Sequence, residues 1–147
     1  MILTGAIIGG IVGLLVVVLV FFAKEQRFNK ILRSIKEPVE YAALYHYASY
    51  KRYRNSFKFF DSYGVLYVTG KMVYYKTKEG GSPDFSFHLD ECSVQREEDW
   101  RMLKWFSITT PAGEKYYFDS QKMGAFKNNS DETLKGLSFL QAKKAAG

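Results

Sequence analysis

His46 and His88 are the only histidines in this 147-residue chain, and they bound the acid–base chemistry it can perform. Asp90, Glu91, Glu97, Glu98 and Asp99 follow His88 closely, and an imidazole held by a carboxylate could serve as a general base. No nucleophile motif accompanies the pair: the sequence has no G-x-S-x-G, P-loop, H-E-x-x-H or Rossmann fingerprint. His88 alternates with Phe87 and Leu89, which predicts a solvent-facing strand position. The chain therefore reads as a non-enzyme with no catalytic residue. Cys92 is its single cysteine, so neither an intramolecular disulfide nor a Cys-rich zinc site can form. No metal and no cofactor is expected.

The other chemistry-bearing stretch is Tyr50-Lys51-Arg52-Tyr53-Arg54-Asn55-Ser56-Phe57-Lys58-Phe59-Phe60, where cations interleave with aromatic rings. Beside anionic headgroups each Lys or Arg contributes roughly 1 kcal/mol, and aromatic rings favour the bilayer interface. Lys51, Arg52, Arg54 and Lys58 are thus the candidate lipid- or membrane-contact residues. The alternative is a solvated basic strand edge whose aromatics belong to the core. Trp100 beside Arg101 is the candidate contact for a protein partner, against a core role shared with Trp105 and Phe106.

What must position these residues begins with the first 23. From Ile2 to Ala23 the only polar side chain is Thr4, and at 1.5 Å per residue the run spans a hydrocarbon core roughly 30 Å thick. It predicts a transmembrane helix over 1–23; a cleaved signal peptide would need a basic n-region and a small-residue cleavage site. Lys24, Arg27, Lys30, Arg33 and Lys36 follow directly, and such an excess marks the cytoplasmic side. The reading is a single-pass membrane protein with a cytoplasmic soluble part. Gly5, Gly9 and Gly13 recur every fourth residue, a helix-packing face on which a second copy or another membrane helix can approach closely.

Residues 24–37 form an amphipathic juxtamembrane linker with Phe28, Ile31, Leu32 and Ile35 at helical spacing, ended near Pro38. Its stripe is expected on the soluble domain rather than on headgroups. A strand is predicted over 43–51, with a helix opened by Pro38 as the alternative. The segments Gly64-Val65-Leu66-Tyr67-Val68-Thr69 and Met72-Val73-Tyr74-Tyr75-Lys76 flank Gly70-Lys71, the composition of a tight hairpin. Further strands are expected at 85–89, 91–96, 103–109 and 115–119, the last two as a hairpin through Pro111-Ala112-Gly113. Asn129-x-x-Glu132 has the form of a capping box before a terminal helix over 131–144.

About seven antiparallel strands closed by one helix is the order of the pleckstrin-homology (PH) superfold. The segment Gly64-Val65-Leu66-Tyr67-Val68-Thr69-Gly70-Lys71-Met72-Val73-Tyr74-Tyr75 resembles the G-x-L-x-(V/L)-T hairpin of its GRAM-like and bacterial PH-like members. Phe85-Ser86-Phe87-His88-Leu89-Asp90-Glu91-Cys92-Ser93-Val94 is similar to their next strand, with Cys92 at a usually aliphatic position. Lys115-Tyr116-Tyr117-Phe118 falls where the family has a strand ending in Tyr/Phe-x-Phe. The resemblance implies an α+β, mainly β, domain over 38–147: a PH/GRAM-like antiparallel β-barrel or sandwich with a C-terminal helix. It also implies a non-catalytic binding or scaffolding module at the cytoplasmic membrane face, contacting acidic lipid or membrane proteins. The alternative is an accessory subunit of a larger membrane complex, assembled through the glycine-rich helix without lipid recognition. Nucleic acid is not an expected partner: half of the net charge of +6 sits beside the apolar helix, in residues 24–37, where topology already explains it.

Overall fold

The computed structural model describes residues 2–100, 103–120 and 130–146. A helix, α1 (Ile2–Arg33), leads into seven strands: β1 (Tyr41–Ala48), β2 (Ser62–Thr69), β3 (Met72–Lys76), β4 (Phe85–His88), β5 (Ser93–Arg96), β6 (Phe106–Thr109) and β7 (Lys115–Ser120). The chain closes with a second helix, α2 (Ser130–Ala145). All seven strands belong to one antiparallel sheet in the order β4-β3-β2-β1-β7-β6-β5. The α+β, mainly β, architecture expected from the strand pattern is the one observed.

The central strand has two apolar faces, and each is covered by a different element. Tyr41, Ala43 and Tyr45 of β1 point into the main core with Leu66, Val73, Tyr75, Phe87, Phe106 and Phe118, and Leu137 and Leu140 of α2 close it. Ala42 and Leu44 point the other way, where Phe28, Ile31 and Ile35 pack with Val65 and Tyr67. The apolar stripe at helical spacing thus lies on the domain, and Ile31 is only 1% exposed. The N-terminal part of α1 is different in kind: from Ile7 to Val20 its large apolar side chains are exposed. It is the one helix among the described residues long and apolar enough to cross a membrane.

Gly70 takes a left-handed φ of 59° in the β2–β3 turn, as the sequence there predicts. Lys71, beside it, donates to the carbonyls of Lys143 at 2.6 Å and Lys144 at 3.1 Å and so caps the C-terminus of α2. At the other end of α2, Glu132 accepts from Tyr41 at 3.0 Å, while Asn129, its expected partner in a capping box, lies outside the described residues. Three strands fall two or three residues short of their expected bounds at one end. β1 stops at Ala48, β5 begins at Ser93 and β6 begins at Phe106. In each case local turns take the backbone instead: Arg52 and Tyr53 donate to Ser49, Glu91 and Cys92 to His88, and Trp100 and Leu103 pair in an isolated bridge.

Candidate functional site

Strand pairing places three loops at one end of the sheet. The register sets the end of β1 against the start of β2 and of β7, the end of β3 against the start of β4, and the end of β6 against the start of β7. The β1–β2, β3–β4 and β6–β7 loops are therefore neighbours. α1 reaches the same end. Its Ile31 lies over Val65 and Tyr67, one to two turns toward the N-terminus Arg27 and Lys24 lie over the Tyr63 ring at 4.5 and 5.9 Å, and Arg27 donates to the Thr77 carbonyl. Continued toward its N-terminus, α1 leaves the sheet beside these three loops.

The β1–β2 loop is held firmly from inside. The Tyr53 ring stacks on Tyr117 at 4.1 Å and 8°, and its hydroxyl donates to the Glu98 carbonyl at 2.6 Å. Phe59 packs against the cluster of Ala48, Trp105 and Tyr117, and the ring centre of Phe60 lies 4.2 Å from that of His46. Asn55 Oδ1 accepts from the amides of Phe57 at 3.0 Å and Lys58 at 3.2 Å, a side-chain-stabilised turn. Arg54, at φ 66°, is the one non-glycine described residue with positive φ. These anchors turn the remaining side chains outward: Phe57 is fully exposed and Tyr50 is 79% exposed. Lys51 and Lys58 are exposed beside them.

The four predicted contact cations thus separate into two pairs. Arg52 lies 3.6 Å from Asp61, and Arg54 pairs with Glu98 at 2.9 Å while its guanidinium stands 5.7 Å from the Trp100 ring centre. Lys51 and Lys58 remain exposed at the tip. Trp100 is half-buried in the cluster of Trp105 and Tyr117. Gly9 and Gly13 stand on the uncovered stretch of α1 with open space over each Cα, and Gly5 lies in the same helix.

The carboxylates that follow His88 in sequence do not pair with it; a histidine–carboxylate pair forms elsewhere. His88 is half-buried, and its Nδ1 accepts from the Asp90 amide at 3.3 Å. It is His46 Nδ1 that lies 3.1 Å from Asp119 Oδ2, under the rings of Phe59 and Phe60. Asp119 is fully buried; that burial raises its pKa, while His46 pulls it back. The two residues are 73 positions apart, and the only sequence signal for the pairing was that both lie in strands. Also at the loop end is an open pocket of about 500 Å³, lined by the rings of Tyr47, Tyr50, Phe85 and Tyr116 and by Glu114 and Lys115. Neither histidine lines it.

Compared with known proteins, the chain matches no family model and no curated protein. Among solved structures it is similar to the pleckstrin homology domain of ArhGAP27, with a TM-score of 0.49 and 9% identity over 71% of this chain and 97% of that one. It is also similar to the PH domain of human oxysterol-binding protein-related protein 11, with a TM-score of 0.49 and 14% identity over 71% of this chain and 80% of that one.

Proposed function

We propose that this chain is a single-pass, membrane-anchored, non-catalytic binding module whose sheet end, carrying Tyr50, Lys51, Phe57 and Lys58, rests on the cytoplasmic bilayer face and contacts acidic lipid. The observation that carries this reading is that α1 leaves the domain at the end where those side chains are exposed. The 22 residues before Lys24 span about 33 Å of helix, close to a hydrocarbon core. Lys24 and Arg27 then stand at headgroup level with Tyr63, and the basic run that follows α1's apolar stretch fits a cytoplasmic domain. In this placement Lys51 and Lys58 reach the surface potential, whereas Arg52 and Arg54 hold the loop in shape.

Amide exchange of the full chain in nanodiscs tests this reading. With anionic lipid, exchange over residues 49–61 slows relative to neutral lipid, and the Lys51→Glu/Lys58→Glu pair removes the difference. The expected effect is on the order of 2 kcal/mol, at about 1 kcal/mol per cation. Equal exchange in both lipids would sink the acidic-lipid contact. A second reading, assembly through the membrane helix, is supported by the recurrence of Gly5, Gly9 and Gly13 at every fourth residue of α1. It predicts that the Gly9→Leu/Gly13→Leu pair abolishes co-purification of a membrane partner or second copy.

A further inference from the structure

The pocket at the loop end has a composition that selects among ligands. Tyr47, Phe85 and Tyr116 touch one another, with ring centres 4.7 Å apart for Tyr47–Phe85, 5.6 Å for Tyr47–Tyr116 and 4.9 Å for Phe85–Tyr116. They form a continuous aromatic wall, and Tyr50 supplies a fourth, outer ring. Burial foremost, with Asp61, Tyr116 and Glu114 nearby, pushes the Tyr47 phenol up to about 12, so that it stays neutral at ordinary pH.

Two charged residues complete the lining, and they are not equivalent. Lys115 Nζ lies 2.9 Å from Glu97, so its charge is already compensated. Glu114 is exposed, its Oε2 accepts from the Tyr116 hydroxyl at 3.0 Å, and no cation of the lining is paired with it. An anion would meet this carboxylate and a lysine already paired. A primary ammonium would find an acceptor in the Glu114 carboxylate but would give up its other hydrogen bonds to water among the aromatic rings. A quaternary ammonium has no N–H to satisfy, and ring faces beside a carboxylate are the surroundings that attract it.

We infer that this pocket takes the quaternary ammonium of a phosphocholine headgroup, supplied by the bilayer that the loop end faces. The choice of a lipid source rests on the orientation proposed above; the choice of the cation rests on the pocket alone. Lys51, exposed and next in sequence to Tyr50, suits the phosphate that every such headgroup carries.

The test begins with the full chain in choline-free maltoside micelles, titrated with phosphocholine and followed by tyrosine fluorescence. Saturable binding is expected, with phosphoethanolamine about tenfold weaker and inorganic phosphate not competing. Tyr50→Ala and Glu114→Gln alter exposed side chains that the core does not need, and each should weaken phosphocholine several-fold. Absence of saturable binding, equal competition by inorganic phosphate, or unchanged binding by both variants would overturn the assignment. A second arm compares amide exchange over residues 113–116 in phosphatidylcholine and phosphatidylglycerol nanodiscs. Slower exchange with phosphatidylcholine is expected. Micelle binding without that slowing would overturn the bilayer as the source, while leaving the pocket's cation preference standing; the orientation is tested separately, because anionic lipid also draws the loop end to the surface.

Discussion

The guanidinium of Arg27 lies 4.5 Å from the ring centre of Tyr63, and its Nη2 donates to the Thr77 carbonyl at 2.5 Å. One side chain of α1 is thereby tied to the start of β2 and to the residue just past β3. Four residues later Ile31 is buried over Val65 and Tyr67. Together the two contacts set the line along which the helix leaves the sheet. They make residues 27–31 part of the domain's packing rather than a loose connection.

Ile31→Ala should therefore destabilise the domain, not merely loosen its link to the helix. The side chain is 1% exposed, and truncating it costs about 2–4 kcal/mol through lost burial and the cavity left behind. Denaturant unfolding of the full chain in micelles, followed by near-ultraviolet circular dichroism of the buried Trp105, reads this directly. An unchanged midpoint would mean that the end of α1 does not stabilise the sheet.

Gly136 of α2 lies directly against the tyrosine hydroxyls of β1. A Cβ added there would stand 2.0 Å from the Tyr45 hydroxyl and 2.8 Å from that of Tyr41. Those hydroxyls lie 2.8 Å from each other and are tied to Glu132, so they have little room to yield. Gly136→Ala should lower stability by about 1–3 kcal/mol from overpacking, in spite of a helix-propensity gain of about 1 kcal/mol. The Gly136→Ala/Tyr45→Phe double variant removes the obstructing oxygen. It should recover part of the loss in thermal unfolding, and strictly additive losses would rule out this contact as the cause.

Glu97 gathers three donors: Ser107 Oγ at 2.7 Å, Lys115 Nζ at 2.9 Å and Gln95 Nε2 at 3.0 Å. Burial pushes its carboxyl up, but these hydrogen bonds and the Lys115 charge together outweigh burial and hold its pKa below the ordinary 4.5. A carboxylate lowered in the folded state contributes stability that is full above its unfolded value and is lost as pH falls through the folded one. Glu97→Gln should thus cost roughly 1–3 kcal/mol near neutrality, in the range for hydrogen bonds to a charged group. The gap from the parent should narrow as pH falls below about 4.5. A gap that stays constant across an acid titration of stability would contradict this assignment.

Short-range signals carried most of the fold. Alternation at Phe85, Phe87 and Leu89, the Gly70-Lys71 turn and the spacing of Phe28, Ile31 and Ile35 each pointed to the element found there, because each depends on neighbours within a turn or a hairpin. The strand start at Ser93 was not legible, since it depends on amides of Glu91 and Cys92 turning back to His88. The site was less visible still. Charge and aromatic content marked residues 50–60, but only the folded loop shows that Asp61 and Glu98 engage Arg52 and Arg54 while Lys51 and Lys58 stay exposed. Likewise the pocket unites β1, β4 and the β6–β7 loop, segments that no local pattern connects.

The central claim is that α1 directs the β1–β2 loop onto the bilayer. The most direct measurement is depth-dependent quenching of a fluorophore on the full chain in anionic nanodiscs containing spin-labelled lipid, with Cys92→Ser as background. One label sits at Phe57→Cys on the loop tip. A second sits at Ala142→Cys near the C-terminus of α2, which Lys71 ties to the β2–β3 turn at the far end of the sheet. The account predicts strong quenching at position 57 from headgroup-level spin labels and little at position 142. Equal quenching at both positions, or stronger quenching at 142, would contradict it.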